Sequence, residues 1–154
     1  MPKTLEELRN QLSAIEPDID MFDGIGPSEI PLLEQLLQDE EAWMASRAIF
    51  ALSRIPDPKA LAILSHEVSD PRPEVKVALA ASVKNLKSSD ANDILLKLLN
   101  DTNIGVRKFA IQAVSPNHNV SVREMLKNLE MQDPIPPIRD SAKDKLRELK
   151  LSGP

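Results

Sequence analysis

The sequence predicts an all-α solenoid of about four stacked helix pairs, with an extra capping helix at its N-terminus. Three observations predict it. An aspartate recurs at near-constant intervals of 31, 31 and 32 residues, at Asp39, Asp70, Asp101 and Asp133. Each of the four is flanked on both sides by an apolar stripe of helical spacing. Prolines gather between the stripes, at Pro56 and Pro58, Pro71 and Pro73, Pro116, and Pro134, Pro136 and Pro137, where they end one helix or open the next.

The stripe after each aspartate defines the second helix of a pair. Five residues on stand Met44, Val75, Val106 and Ile138; nine on stand Ala48, Leu79, Ala110 and Ala142; thirteen on stand Leu52, Val83, Val114 and Leu146. Steps of four keep these side chains on one helical face. The stripe before each aspartate defines the first helix, with Leu37, Val68, Leu99 and Met131 two residues back and Leu32, Ile63, Ile94 and Leu126 seven back. These registers place helix pairs at about 28–55, 58–87, 90–115 and 120–150. Thr4 and Glu7 form a capping-box pattern for an N-terminal helix over roughly 4–14. Asp57 before Pro58 reads as an N-cap and first-turn pair, and Ser89 or Asp90 as the cap of the next first helix. One such pair cannot bury its apolar face alone, so the pairs must stack.

Composition agrees and narrows the class. Hydrophobic residues are 42% and charged residues 28% of the 154, which suits a folded globular chain. The three Phe, one Trp and absent Tyr suit helices better than a β core. With no cysteine, disulfides and thiol chemistry are excluded. No apolar run reaches the ~20 residues of a membrane span, and the acidic N-terminus is unlike a signal peptide, so a cytoplasmic protein is expected. The net charge of −5 is uneven: residues 1–40 carry −8 and the rest +3. The chain is therefore expected to form a single domain over 1–154, with an acidic cap at 1–27, repeats over 28–150 and a polar tail at 151–154. No concentrated basic face speaks for nucleic acid.

The repeat resembles the HEAT family, in particular its short form first noted in phycobilisome lyases. That form shows an aspartate, an aliphatic residue five later and a Lys or Arg six later, as in Asp70-Val75-Lys76, Asp101-Val106-Arg107 and Asp133-Ile138-Arg139. The run Ala110–Val114 matches the family's second-helix pattern. After Asp39 the basic position holds Ala45, so the first repeat departs from the pattern. The resemblance covers about residues 28–150 and implies a right-handed superhelix. It also implies a ladder, in which each aspartate caps its second helix and meets the basic residue of a neighbouring repeat. Asp70, Asp101, Asp133, Lys76, Arg107 and Arg139 are assigned to that structural role.

Catalytic chemistry finds little support. His66 and His118 lie far apart in the register, and without cysteines or His-rich spacing no metal site is expected. Gly24-Ile25-Gly26 lacks the strand and third glycine of a phosphate loop and reads as a turn. No cofactor is expected and the chain is read as non-enzymatic.

In the family the second helices line the concave side of the array. With core positions at offsets 5, 9, 12, 13 and 16 from the aspartate, offsets 4, 7, 8, 11 and 15 face outward along that side. They hold Trp43, Ser46, Arg47, Phe50 and Arg54 in the first repeat and Glu74, Val77, Ala78, Ala81 and Asn85 in the second. The third offers Gly105, Lys108, Phe109, Gln112 and Pro116, and the fourth Pro137, Asp140, Ser141, Asp144 and Glu148. Aromatic and arginine side chains are typical interface anchors, so Trp43, Arg47, Phe50, Arg54, Val77, Ala81, Lys108, Phe109 and Gln112 are the candidate binding residues. A register slip of one residue would instead bury Phe50 or Phe109. The function expected is a scaffold: a monomeric interaction module gripping a protein or peptide. Alternatives are a phycobilin lyase-like or lyase-subunit protein that handles a chromophore, or, behind it, a HEAT-like DNA glycosylase. The acids Asp140, Asp144 and Glu148 oppose the last.

Overall fold

A computed structural model describes residues 3–14 and 18–152. Among them are nine α-helices and no strand: α1 Leu5–Gln11, α2 Ile30–Leu36, α3 Ala42–Ser53, α4 Pro58–His66, α5 Pro73–Ser82, α6 Ser88–Leu99, α7 Ile104–Ala113, α8 Val120–Gln132 and α9 Pro136–Ser152. Single 3-10 turns at Glu67–Ser69 and Val83–Asn85 extend α4 and α5. The chain is an α-solenoid. The first helices α2, α4, α6 and α8 form one layer, and the second helices α3, α5, α7 and α9 form the other, each packed on its neighbour in sequence of repeats.

The apolar register explains the layers. Offsets 5 and 9 are buried in all four pairs, and offset 13 is buried in the first three and half-buried at Leu146. Leu33, Leu37, Met44, Leu52, Leu64, Leu79, Leu95 and Leu98 are fully enclosed between the layers. Each such side chain contributes about 1.5–3 kcal/mol by leaving water. The position two before the aspartate shows how one pair seals the next: Leu37 and Leu99 are buried beneath a following pair, whereas Met131 is 77% exposed on α8. At the equivalent positions 32 residues on, Lys127 and Glu130 stand where Leu95 and Leu98 are buried.

Helix ends follow local chemistry, with corrections to the sequence reading. Thr4 caps α1 in a complete capping box with Glu7, but the helix ends at Gln11, short of residue 14. Asp57 caps α4 by accepting from the Lys59 N–H at 2.8 Å. Neither Ser89 nor Asp90 caps α6: the helix starts earlier, at Ser88, after Lys87. The expected tail is helical through Ser152, and Gly153 and Pro154 lie outside the described residues.

The four aspartates stand two residues before the helix N-caps, not at them. Each accepts the backbone N–H of the second residue on: Asp39 from Glu41 at 2.9 Å, Asp70 from Arg72 at 2.8 Å, Asp101 from Asn103 at 2.9 Å and Asp133 from Ile135 at 3.0 Å. Capping itself falls to other groups where it occurs, as at Asn103, which accepts from the Val106 N–H. The aspartate thus closes the turn that reverses the chain between the paired helices.

The same carboxylates tie repeats together. Lys76 Nζ reaches Asp101 at 2.7 Å, and Arg107 reaches Asp133 of the next pair. Arg107 Nη2 donates to Asp133 Oδ1 at 3.2 Å, while Nε sits 2.9 Å from Oδ2 with its N–H pointed away. That second contact is Coulombic rather than a hydrogen bond. Arg139 has no such aspartate ahead of it and donates to the Asp133 carbonyl at 2.6 Å. Ala45 is fully buried and leaves the first rung empty. Arg72 fills the gap: it pairs with Asp70 at 3.0 Å and donates to the carbonyls of Leu37 at 2.6 Å and Asp39 at 2.9 Å. Asp39 is held in turn by Arg9 of α1 at 3.0 Å, and that bond draws its carboxyl below its usual range.

Glu67, buried beside Asp70, is the exception to this pattern. Its removal from water and the neighbouring Asp70 carboxyl push its pKa up, whereas Arg72 overcomes burial at Asp70 and holds that carboxyl low. A carboxyl raised on folding favours the native state below its ordinary value near 4.5 and loses that advantage as pH rises through the folded value. Glu67→Gln removes this cost. Its stability relative to wild type, measured by urea denaturation, should therefore increase from pH 4.5 toward neutrality; parallel profiles would show that folding does not raise the Glu67 pKa.

Candidate interaction face

The outward positions of α3, α5, α7 and α9 form one continuous face along the second-helix layer. None of the twenty residues at these offsets is buried. Trp43 is 43% and Phe109 42% exposed, so neither belongs to the core, and Lys108, Gln112 and Ala81 are exposed as well. Phe50, Val77 and Arg47 are half-buried, and Arg54 is exposed. The small side chains of Val77, Ala78 and Ala81 on α5 lie between the large ones of α3 and α7. Trp43 on α3 and Phe109 on α7 are thus exposed on either side of the smaller outward side chains of α5. Ile104, at the first position of α7, is a further exposed apolar side chain.

Its chemistry changes from end to end. At α3, the Arg47 guanidinium lies 5.0 Å from the Trp43 ring centroid, a stacked cation that holds the indole in place, and Trp43 Nε1 donates to Glu41 at 3.1 Å. At α9, Asp140 and Asp144 are exposed, while Lys145 is turned inward to the Gln112 carbonyl at 3.2 Å and pairs with Glu148 at 3.4 Å. The middle, on α7, carries Lys108.

The α3 end is covered by the chain itself, which the sequence reading did not foresee. The 3-10 turn Ile19–Phe22 lies on α3, with the Phe22 and Phe50 rings 4.8 Å apart at 48°. Arg47 Nη1 donates to the carbonyls of Leu12 and Ala14, both at 2.6 Å, and Arg54 Nη1 to that of Ile19 at 3.3 Å. The expected aromatic–basic patch of Trp43, Arg47, Phe50 and Arg54 is therefore divided: Trp43 faces outward, and the other three hold the N-terminal segment. The one sequence signal for that segment is the alternation of acids with apolar residues in Asp18-Ile19-Asp20-Met21-Phe22-Asp23. Gly24, at φ 72°, turns the chain away from it in a conformation suited to glycine.

The remaining titratable groups do not converge. Among the described residues no group of three or more His, Asp or Glu is placed to hold a metal ion, and no helix is long and apolar enough to cross a membrane. His66 is exposed at the end of α4. His118 is buried in the loop before α8, where its Nδ1 accepts from the Ser115 N–H at 2.9 Å and burial lowers its pKa. It is a neutral structural acceptor.

No family model and no curated protein matches the sequence. Among solved structures, the fold is similar to a designed armadillo repeat protein in complex with the peptide (KR)4: the TM-score is 0.52 at 17% identity, over 94% of this chain and 81% of that one. A second designed armadillo repeat protein gives a TM-score of 0.49 at 18% identity, over 94% and 82%. The first likeness assigns the chain to the helical repeat solenoids.

The two aromatic environments make different demands. Phe50→Ala removes a half-buried ring and its partner contact and should lower stability by about 2 kcal/mol, whereas Trp43→Ala should cost less than about 1 kcal/mol. Denaturant titration of both variants checks this, and equal losses would contradict the assignment of Trp43 to the open face.

Proposed function

We propose that the protein is a non-enzymatic scaffold of short HEAT-type repeats whose second-helix face binds an extended protein segment. One observation carries the reading: Trp43 and Phe109 are exposed on α3 and α7, on either side of α5, whose outward positions hold the small residues Val77, Ala78 and Ala81. Isolated exposed aromatics are ordinary, but two of them on one helix layer, with small residues on the helix between, suit the side chains of a bound peptide. The charge gradient supports a preferred direction, with basic groups of the partner toward Asp140 and Asp144. The designed armadillo repeat protein of similar fold was solved with a peptide, which is consistent with a scaffold of this kind. Lys108 and Gln112 supply polar contacts at the rim, and Phe109 is the anchor.

A random peptide library displayed on phage and selected against the folded chain tests this. Selected peptides should bind Phe109→Ala about tenfold more weakly than wild type, a loss of ~1.4 kcal/mol, while the unfolding midpoint stays within a few degrees. Peptides indifferent to Phe109, or chemical-shift changes confined to α2, α4, α6 and α8, would refute it.

A further inference from the structure

The second helices share a face that the fourth of them presents to solvent. Positions six and ten after the aspartate are Ala45 and Ile49 on α3, Lys76 and Ala80 on α5, and Arg107 and Ile111 on α7. The apolar ones are buried, and Lys76 and Arg107 pair with the next aspartate. Each of these three helices packs on the second helix that follows it. On α9 the same register holds Arg139 and Lys143 and continues as Arg147 and Lys150, steps of four and three that keep the cations on one side of the helix. Arg139 is half-buried and the other three are exposed. Beside this stripe an open cleft of about 720 Å³ lies between α8 and α9, its apolar lining supplied by Val120, Met131, Leu146 and Leu149 and its cations by Arg123, Lys127 and Lys150. Val120 is 70% and Met131 77% exposed, the highest values for large apolar side chains among the described residues.

Arg139 indicates the chemistry this face takes. Arg107 donates through Nη1 to the Asp101 carbonyl at 2.9 Å, six residues back, and through Nη2 to the Asp133 carboxylate of the next pair at 3.2 Å. Arg139 repeats the first of these bonds, from Nη1 to the Asp133 carbonyl at 2.6 Å. The rest of its guanidinium holds the place of a rung for which the described residues supply no carboxylate. A phosphate backbone suits the face less well than a protein surface, because Glu124 and Glu130 also line the apolar cleft. Carboxylates stand at the other end of the stack, where residues 1–40 carry a net charge of −8. There α1 packs on α2, and Leu5, Glu6 and Glu7 in its first turn are exposed.

We propose that the α8–α9 face receives the acidic α1 end of a second copy of this chain, so that copies associate head to tail. Glu6 and Glu7 of one copy meet the stripe of Arg139, Lys143 and Arg147 on the other, and Leu5 supplies an apolar side chain for the cleft. Such a contact is heterologous. It leaves one end of each kind free on every dimer, so growth continues until a ring closes. Attraction between the ends promotes encounter and weakens with salt.

Sedimentation velocity of the full chain, from about 1 µM to about 1 mM, tests this. At low salt the weight-average mass should rise past that of a dimer, and in ~0.5 M NaCl it should fall back toward the monomer. Lys143→Gln with Arg147→Gln, and separately Glu6→Gln with Glu7→Gln, should each weaken association about tenfold with an unchanged circular dichroism spectrum. Gln at position 7 preserves the capping box. Mixed in equal amounts, the two variants should form a dimer and no larger species, because each retains the end that the other lacks. A wild-type chain that stays monomeric, growth that halts at a dimer, or association indifferent to either pair of substitutions overturns the proposal. So does a monomer that binds duplex DNA, which would give the face to nucleic acid.

Discussion

The carboxylate at the turn within each helix pair holds two things at once. One oxygen accepts the backbone N–H two residues on, which fixes the reversal between first and second helix. The carboxylate also takes a cation, from the preceding repeat at Asp101 and Asp133, from α1 at Asp39 and from its own turn at Asp70. Because the same group sets the turn and the spacing to the next pair, a 31-residue period is imposed on the whole stack. The pairs at Lys76–Asp101 and Arg107–Asp133 are largely withdrawn from water. In that setting an unpaired partner is costly, and this favours one register of stacking over its alternatives more than it adds net stability.

The first rung shows that the constraint is geometric rather than a matter of one residue type. Ala45 has no charge to give, yet the junction between the first two pairs is tied as firmly as the others. Arg72 spans it from the other side, using the Leu37 and Asp39 carbonyls in place of a side-chain acceptor. Arg9 then extends the line back to α1. Two runs of cations with carboxylates or carbonyls therefore line the turns from α1 to α9, a seam in two parts: Arg9–Asp39–Arg72–Asp70, and Lys76–Asp101–Arg107–Asp133–Arg139.

The period and the two layers were legible in the sequence because they depend on apolar spacing, which a single chain displays openly. Offsets of 5, 9 and 13 read directly as buried faces, and the outward offsets read as exposed ones. What the sequence concealed has backbone acceptors or distant partners at its centre. The aspartate spacing is visible, but its displacement by two residues from the N-cap is not, since Asn103 and Glu41 look no different from neighbouring polar residues. Arg72 was unreadable as a substitute rung because the carbonyls it grips carry no sequence mark. The contact of Phe22 with Phe50 joins an irregular segment to a helix, and periodicity says nothing about such pairs. As a result, the outward offsets were read as unburied, as they are, but the α3 end was read as open.

The seam and the face are linked, because the repeat register places Arg47, Ala78 and Phe109 at equivalent outward positions on three successive second helices. The most direct test of this account is a double-mutant cycle on Arg107 and Asp133, combining Arg107→Met, Asp133→Asn and the double variant in equilibrium denaturation. A seam that sets the stack predicts a coupling free energy of about 1.5 kcal/mol or more between the two. Additive effects, with coupling within about 0.3 kcal/mol of zero, would mean that the carboxylates merely close their own turns and that the register is fixed by the apolar core alone.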